Sequence, residues 1–436
     1  MPRGYAAQIA IIVHGSALVH ERLLASVDCR HERSRSTFVL FLRTCYDPKR
    51  STNHFEMSPL SRPPASYWPA YSAATQPVSE FPWKDNDMAY YFVTVTTSGG
   101  FEIGPGQNVS DVKRFTSLAR KHGVQSLFSI RGWDGSQYFS DLVSTEKKRA
   151  RFAKQIKAFV DENGFDGVDL DWEYPNSEGI GCNSIRSTDS ANFLAFLKTL
   201  HDLLEGAKKA LITAAVATTP FNDADGVPLA DVSDFATYLK YINLMTYDIS
   251  GSWSATTGPN SPLRACGSDS SVVNAVKAWT SAGFPASQIL VGLPAYAHSF
   301  TTNGIPKGDS EDVVPITDSC NVTTTTYAGS WQYHELIDEG FLSADGKRGL
   351  HGWKRYFDEC AATPFLYNSA TKYFISYDDQ ESALAKTDYA RKEGLAGVFL
   401  FDSTGFKDSP WILKSIRKHL GPFARSVRST SQQVCR

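Results

Sequence analysis

Short apolar runs alternate with longer segments of helical hydrophobic period from about residue 65 to the end of the chain. The short runs predict eight strands, at 65–71, 88–96, 126–132, 167–174, 211–218, 241–247, 289–296 and 397–402. The longer segments predict helices at 110–121, 145–163, 189–209, 269–282, 382–392 and 410–419. Most of these helices end near a Gly, as helix C-termini commonly do.

This alternation is typical of β-α units repeated around a parallel sheet. Eight strands with intervening helices predict an α/β protein with a (β/α)8 TIM barrel, whose active site lies at the C-terminal ends of the strands. Pro63 and Pro64 stand at the start of the first strand and cannot donate ladder hydrogen bonds. We therefore expect a first strand that is short or that has lost its start.

About a hundred residues separate the seventh and eighth predicted strands, far more than a barrel loop contains. Their aromatic content is sufficient for a small core. We predict a small α+β insertion domain at 301–376, between barrel segments at 61–300 and 377–422. Residues 1–60 are expected to be an extension of unknown order, and residues 423–436 a C-terminal tail.

Acidic residues occupy every second position of the strand predicted at 167–174. With a two-residue period, Asp169, Asp171 and Glu173 face one side of the strand, and the apolar residues between them face the other. Burial and neighbouring carboxylates raise the pKa of such groups and can leave one protonated at neutral pH, which a glycosidase needs in its proton donor. A calcium-binding loop is the alternative, but such loops favour Asp and Asn around a central Gly.

With Asp166, these residues match the D-x-x-D-x-D-x-E signature of family 18 glycoside hydrolases, the chitinases and their relatives. The chain resembles this family from about Ala65 onward. Met245-Thr246-Tyr247-Asp248 matches the family's M-x-Y-D, and 329–336 and 377–382 resemble the α+β insertion that many chitinases carry. Ser129-Ile130-Arg131-Gly132-Trp133 corresponds to S-x-G-G, with Arg131 where a Gly is usual, so the backbone there is expected to differ.

The resemblance implies retaining hydrolysis of β-1,4-linked N-acetylglucosamine, in which the substrate's own N-acetyl oxygen attacks the anomeric carbon and forms an oxazolinium ion. Glu173 would be the general acid and later the base. Asp171, about 6 to 7 Å away along the same strand, would accept a hydrogen bond from the acetamide N–H. Asp169 would share a proton with Asp171. Tyr247 would donate its hydroxyl to the acetamide oxygen, whereas Asp166 is expected to be structural.

The expected substrate groove combines residues of these motifs with aromatic residues at the strand ends. Phe401 would form the floor of the central subsite, where many members have a Trp, and its smaller ring would stack less area on the sugar. For Tyr67 and Tyr296, packing in the core is the alternative. The expected groove residues are Met245, Asp248, Trp133, Tyr174, Tyr296, Phe401 and Tyr67.

Composition excludes several other classes of function. The chain is 42% hydrophobic and 21% charged, its net charge is −2, and it has no apolar run of about 18 residues. We therefore expect neither a nucleic acid nor a membrane as partner. We expect a monomeric enzyme of the endochitinase or chitobiosidase type, without metal or cofactor, that acts on chitin or chito-oligosaccharides.

The cysteines and the N-terminal segment bear on location. Seven Cys contain no C-x-x-C pair, so zinc spacing is absent, and one or two disulfides are expected if the protein is exported. Glycosylation sequons occur at Asn108 and Asn321. Residues 6–19 are apolar enough for a signal peptide, although His14 interrupts them and no clear cleavage site follows. We predict an extracellular protein.

Two other functions fit the same residues. One is a non-catalytic chitin- or glycan-binding protein, although such relatives have usually lost the acidic donor, and Glu173 is present here. The other is an endo-β-N-acetylglucosaminidase acting on N-glycans, which uses the same acetamide chemistry. The groove-forming insertion favours linear chitin over N-glycans by analogy with the family.

Overall fold

The structure is a computed structural model that describes residues 63–130, 132–205, 210–268, 270–302, 315–317, 320, 323–325 and 329–421. The predicted extension at 1–60 and the predicted C-terminal tail lie outside these residues. Arg131, Asn321 and the first residue of the helix predicted at 269–282 also lie outside them, as do the last residues of the helix predicted at 189–209. Within the described residues, no helix combines the length and the apolar character needed to cross a bilayer.

The strands of the described residues are numbered in chain order. They are β1 (Pro64–Pro69), β2 (Met88–Thr97), β3 (Gly100–Ile103), β4 (Gln125–Ile130), β5 (Gly167–Leu170), β6 (Leu211–Val216), β7 (Tyr241–Leu244), β8 (Ile289–Pro294), β9 (Tyr296–Thr301), β10 (Pro315–Thr317), β11 (Thr323–Thr325), β12 (Ser330–Gln332), β13 (Trp353–Asp358), β14 (Thr363–Asn368), β15 (Tyr373–Ser376) and β16 (Gly397–Phe401). The α-helices are α1 (Val109–His122), α2 (Phe139–Val143), α3 (Glu146–Asn163), α4 (Asp189–Glu205), α5 (Ser233–Tyr238), α6 (Val272–Ser281), α7 (Tyr333–Asp338), α8 (Gln380–Lys392) and α9 (Pro410–Leu420).

Eight parallel strands close into a barrel in the order β1, β2, β4, β5, β6, β7, β8 and β16. β1 closes the sheet because it pairs with both neighbours: Ala65 lies opposite Phe399 on β16 and opposite Met88 on β2. Pro64 is the first residue of β1, the position at which a missing N–H is tolerated. The predicted (β/α)8 barrel with an α+β insertion between its seventh and eighth strands is confirmed.

Local sequence explains where the long helices begin and end. α3 begins after Thr145, whose side chain accepts a hydrogen bond from the Lys148 N–H, and ends at Gly164 with φ 74°. α1 begins after Asn108, whose side chain caps the Ser110 N–H. The helices bury their apolar faces against the outside of the barrel, and a second core of aromatic and aliphatic residues fills its interior.

The insertion begins immediately after the seventh barrel strand. β9 enters a five-stranded antiparallel sheet in the order β12, β9, β15, β14, β13, and α7 follows β12. This sheet begins at Tyr296 and ends at Ser376, and the domain limits given above stay predictions.

Two disulfides connect the insertion to barrel loops. Cys182, in the loop after β5, is bonded to Cys320, and Cys266, before α6, is bonded to Cys360 in the turn between β13 and β14. The presence of two disulfides agrees with the sequence-based expectation. Their pairing was not predicted.

Several predicted strands end earlier in the structure than in the sequence pattern. The strand predicted at 167–174 ends at Leu170, and the strand predicted at 241–247 ends at Leu244. Asp171 and Met245 still donate one backbone hydrogen bond each to the neighbouring strand, and the residues after them form the rim of the barrel. Apolar alternation continues past the last ladder bond because the rim residues still pack against the barrel core.

Candidate active site

Asp166 and Asp169, the first two acidic residues of the signature, accept hydrogen bonds from neighbouring strands of the barrel. Asp166, just before β5, accepts hydrogen bonds from the Ser126 N–H at 3.0 Å and the Ser126 hydroxyl at 3.3 Å. It therefore joins the starts of β4 and β5, in line with the expectation that Asp166 is structural. Asp169 lies on β5 opposite Ser129 of β4 and Thr213 of β6 and points into the buried interior of the barrel.

Asp169 is the centre of a hydrogen-bond network built by four other strands. Its two carboxylate oxygens accept hydrogen bonds from the Tyr67 hydroxyl (2.8 Å), the Ser129 hydroxyl (2.9 Å), the Thr213 hydroxyl (2.6 Å) and the Asn243 amide (3.2 Å). Burial raises the pKa of Asp169, and three of these hydrogen bonds oppose the rise. The predicted sharing of a proton with Asp171 stays a prediction.

Asp171 and Glu173 follow β5 at the C-terminal end of the barrel. The Asp171 N–H still donates to the carbonyl of Ile130 at 2.9 Å, and the Glu173 N–H donates to the hydroxyl of Ser136 at 3.0 Å. Gly132 faces both side chains: a Cβ there would stand under 3.0 Å from Glu173 Oε1 and from Asp171 Oδ2. The two carboxyl groups therefore both face Gly132, and a side chain at this position would have to displace them.

The pKa of Glu173 lies close to neutral pH. Its side chain is 9% exposed, and burial raises its pKa to about 7, with a smaller rise from the charge of Asp248. Hydrogen bonds from the Tyr174 hydroxyl and the Trp133 N–H act in the opposite direction. A substantial fraction of Glu173 is consequently protonated at neutral pH and able to donate a proton.

Tyr247 stands across the site on the segment after β7. Its ring stacks on Phe401 with centroids 5.9 Å apart and meets Tyr296 edge-on at 6.0 Å. A Cβ at Gly292 would collide with the Tyr247 ring, so a glycine is needed beneath it. Burial and the charge of Asp171 raise the pKa of Tyr247, which keeps its hydroxyl a hydrogen-bond donor.

Asp248 connects the barrel rim to the insertion. Its Oδ1 accepts a hydrogen bond from the Tyr296 hydroxyl at 2.8 Å and lies 2.7 Å from His298 Nε2. His298 was missed in the sequence, although it is two residues after Tyr296 and therefore points to the same face of β9. Trp253, 59% exposed with its ring 5.2 Å from that of His298, was also missed.

The other predicted groove residues differ in exposure. Trp133 is 42% exposed, and Tyr174, Met245 and Phe401 are half-buried. Tyr67 is only 2% exposed, stacks on Tyr90 and directs its hydroxyl to Asp169. Its hydroxyl is therefore engaged inside the barrel, as the core-packing alternative expects, and its predicted contact with the sugar stays a prediction.

One group of described residues has the side chains of a metal site. It consists of His334, Asp338 and Asp408, of which the two aspartates are exposed. None of the signature carboxylates belongs to it.

The chain is similar to known proteins both in sequence and in structure. The family model described as Glycosyl hydrolases family 18 matches residues 66–405. The chain is 38% identical to a chitinase-like effector of Moniliophthora roreri, over 78% of this chain and 88% of that protein. It is 32% identical to Chitinase A1 of Niallia circulans, over 65% of this chain and 40% of that protein. A crystal structure of a chitinase from Rhizomucor miehei superposes with a TM-score of 0.75 at 30% identity and covers 83% of this chain and 100% of that one.

Proposed function

The chain belongs to family 18 of the glycosyl hydrolases, and on this basis we propose that it is a chitinase with a retaining, substrate-assisted mechanism. Its substrates would be β-1,4-linked N-acetylglucosamine chains. The observation that carries the proposal is the pKa of Glu173, about 7, on a carboxyl group that converges with Asp171 on Gly132.

In the proposed reaction, Glu173 donates its proton to the glycosidic oxygen as the bond to the anomeric carbon breaks. The carbonyl oxygen of the substrate's acetamide attacks that carbon and closes an oxazolinium ring. Asp171 accepts the acetamide N–H and stabilises its positive charge, while the Tyr247 hydroxyl donates to the acetamide oxygen. Glu173, now ionised, then takes a proton from the water that opens the ring, which restores the acid and retains the configuration.

The placement of the two carboxyl groups supports this route over a paired-carboxylate one. In a paired-carboxylate retaining enzyme the nucleophile attacks from the face opposite the acid. Asp171 and Glu173 instead face the same glycine from alternate positions of one segment. An internal nucleophile is therefore the simpler assignment.

Hydrolysis of a defined chito-oligosaccharide tests the proposal. We expect the wild-type protein to release shorter oligosaccharides whose new reducing ends begin as the β-anomer in NMR spectra. Glu173→Gln should abolish release, and Glu102→Gln, at an exposed position on β3, should not. No release by any of the three, or equal release by all of them, would reject the assignment.

A second candidate is chitin binding without hydrolysis, which is favoured by the naming of a 38% identical relative as a chitinase-like effector. Calorimetric titration with chitotetraose separates the two functions. Saturable binding by wild type with no product over days would support the binding function, whereas turnover that depends on Glu173 supports the enzyme.

We also propose that the protein acts outside the cell. The two disulfides found among the described residues support this location, because disulfides persist in oxidising compartments. The predicted monomeric state stays a prediction.

A further inference from the structure

The peptide groups on both sides of Tyr247 are held by two consecutive residues, Asn260 and Ser261. The Ser261 hydroxyl donates to the carbonyl of Thr246 at 2.6 Å. The N–H of Asp248 donates to Asn260 Oδ1 at 2.8 Å. Because both residues are fully buried, water does not compete for either bond. The pair forms a clamp around the backbone of Tyr247.

The clamp is tied to neighbouring strands as well. The N–H of Asn260 donates to the hydroxyl of Ser376 at the end of β15, at 2.7 Å. Its side-chain amide donates to the carbonyl of Tyr296 on β9, at 3.2 Å. Asn260 thus forms hydrogen bonds through its backbone N–H and through both the oxygen and the nitrogen of its side-chain amide. These bonds leave the segment before Pro262 little freedom to move.

A buried lysine fixes the other half of the clamp. Lys386, on α8, has a fully buried side chain, and its Nζ donates to the Ser261 hydroxyl at 2.8 Å. It also forms an ion pair with Asp378, whose side chain is equally buried. A lysine ammonium only donates, so the Ser261 oxygen must accept from it, and the single Ser261 proton is directed to the carbonyl of Thr246.

Packing alone does not explain this ion pair, because filling the space with two buried charges is energetically costly. Burying two charges costs several kcal/mol per ion before their attraction is counted, and apolar residues of similar volume often stabilise a fold equally well. Lys386 touches none of the four signature carboxylates in the contacts described above. Its polar contacts lead instead, through Ser261, to the peptide that carries Tyr247.

We propose that Lys386 is a positioning residue for this site. By orienting the Ser261 hydroxyl, it holds the Thr246–Tyr247 peptide and thereby aims the Tyr247 hydroxyl at the acetamide of the substrate. The inference rests on the proposed function for the role of Tyr247, but the clamp itself is a property of the fold.

Two variants break the connection at different points, and one serves as the matched control. Lys386→Met removes the ammonium and keeps most of the side-chain volume. Ser261→Ala removes the hydroxyl and keeps the ion pair. Arg417→Met is the control, because Arg417 also pairs with a buried aspartate, Asp87, at 3.0 Å and does not contact the clamp.

Amide hydrogen exchange and steady-state kinetics are the two measurements. We expect the Asp248 and Ile249 amides to exchange about tenfold faster or more in Lys386→Met and Ser261→Ala, since local opening becomes easier. We expect kcat on a chito-oligosaccharide to fall about 10- to 100-fold with KM little changed, because a misplaced reacting group lowers rate more than binding. Arg417→Met should change neither.

Each outcome decides a separate question. Unchanged exchange in both variants would overturn the clamp, and faster exchange with unchanged kcat would overturn the positioning role. If Lys386→Met does not fold, the double variant Lys386→Met, Asp378→Leu removes the unpaired charge and is measured in the same way. A wild-type protein without activity would reject the proposed function, while the exchange experiment would still accept or reject the clamp.

Discussion

Replacing Glu173 with Gln should change how the stability of the protein depends on pH, in a direction that follows from the burial of this side chain. Gln has nearly the same shape as a protonated Glu but cannot ionise. In the folded protein, burial raises the pKa of Glu173 from 4.5 to about 7. In the unfolded chain the side chain is in water and regains its ordinary pKa.

The size of the effect follows from the two pKa values. A folded-state pKa above the unfolded one means that the folded protein binds the proton more tightly. The stability that this proton contributes is fully present below about pH 4.5 and is lost as the pH rises through about 7. Because one pKa unit corresponds to about 1.4 kcal/mol, wild type should lose about 3 kcal/mol relative to Glu173→Gln over this range.

Urea unfolding at pH 4.5, 6 and 8.5, with the disulfides intact, measures the difference directly. The free energy of unfolding of Glu173→Gln minus that of wild type should increase by about 3 kcal/mol from the lowest to the highest pH. Glu102→Gln, at an exposed position, controls for the loss of one carboxylate. Parallel pH profiles for wild type and Glu173→Gln would refute the reasoning, because they would mean that Glu173 titrates alike in both states.

Three further predictions concern the pH dependence of activity, the glycine at position 132 and the disulfide between Cys182 and Cys320. Glu173 should also give kcat/KM a basic limb near pH 7, with activity falling as the acid loses its proton, and a pH–rate profile that stays flat to pH 9 would contradict this. Gly132→Ala should reduce kcat by on the order of 100-fold, because its Cβ would collide with Glu173 and Asp171, and kinetics of the purified variant would show it. Replacing Cys182 and Cys320 together by Ser should lower the free energy of unfolding by about 2 to 4 kcal/mol in urea titrations, since the crosslink closes a long loop; an unchanged midpoint would contradict it.

Some features of the site could be predicted from the sequence alone because they depend on local periodicity. Asp169, Asp171 and Glu173 share one face whether or not the barrel closes, since a strand alternates its side chains with a period of two. The eight strands and their helices follow from the same kind of local pattern, as does the long interval that became the insertion. The resemblance to the family 18 signature identifies Glu173 as the expected acid.

Only the tertiary structure decided which residues surround those carboxylates. Thr213 and Asn243 look like ordinary strand residues in the sequence. Nothing in their sequence neighbourhoods, or in that of Tyr67, indicates that the polar groups of these residues meet at Asp169. They meet because closure of the barrel brings alternate positions of distant strands to one level of its interior.

The same reason accounts for the other features that the sequence left open. The contact of His298 with Asp248, the connection from Lys386 to the Tyr247 backbone and the pairing of Cys182 with Cys320 all join residues far apart along the chain. The pKa of Glu173 belongs to this class as well, because it is set mainly by burial. Local pattern fixes which way a side chain faces, but only the folded chain determines what it faces and how much water remains.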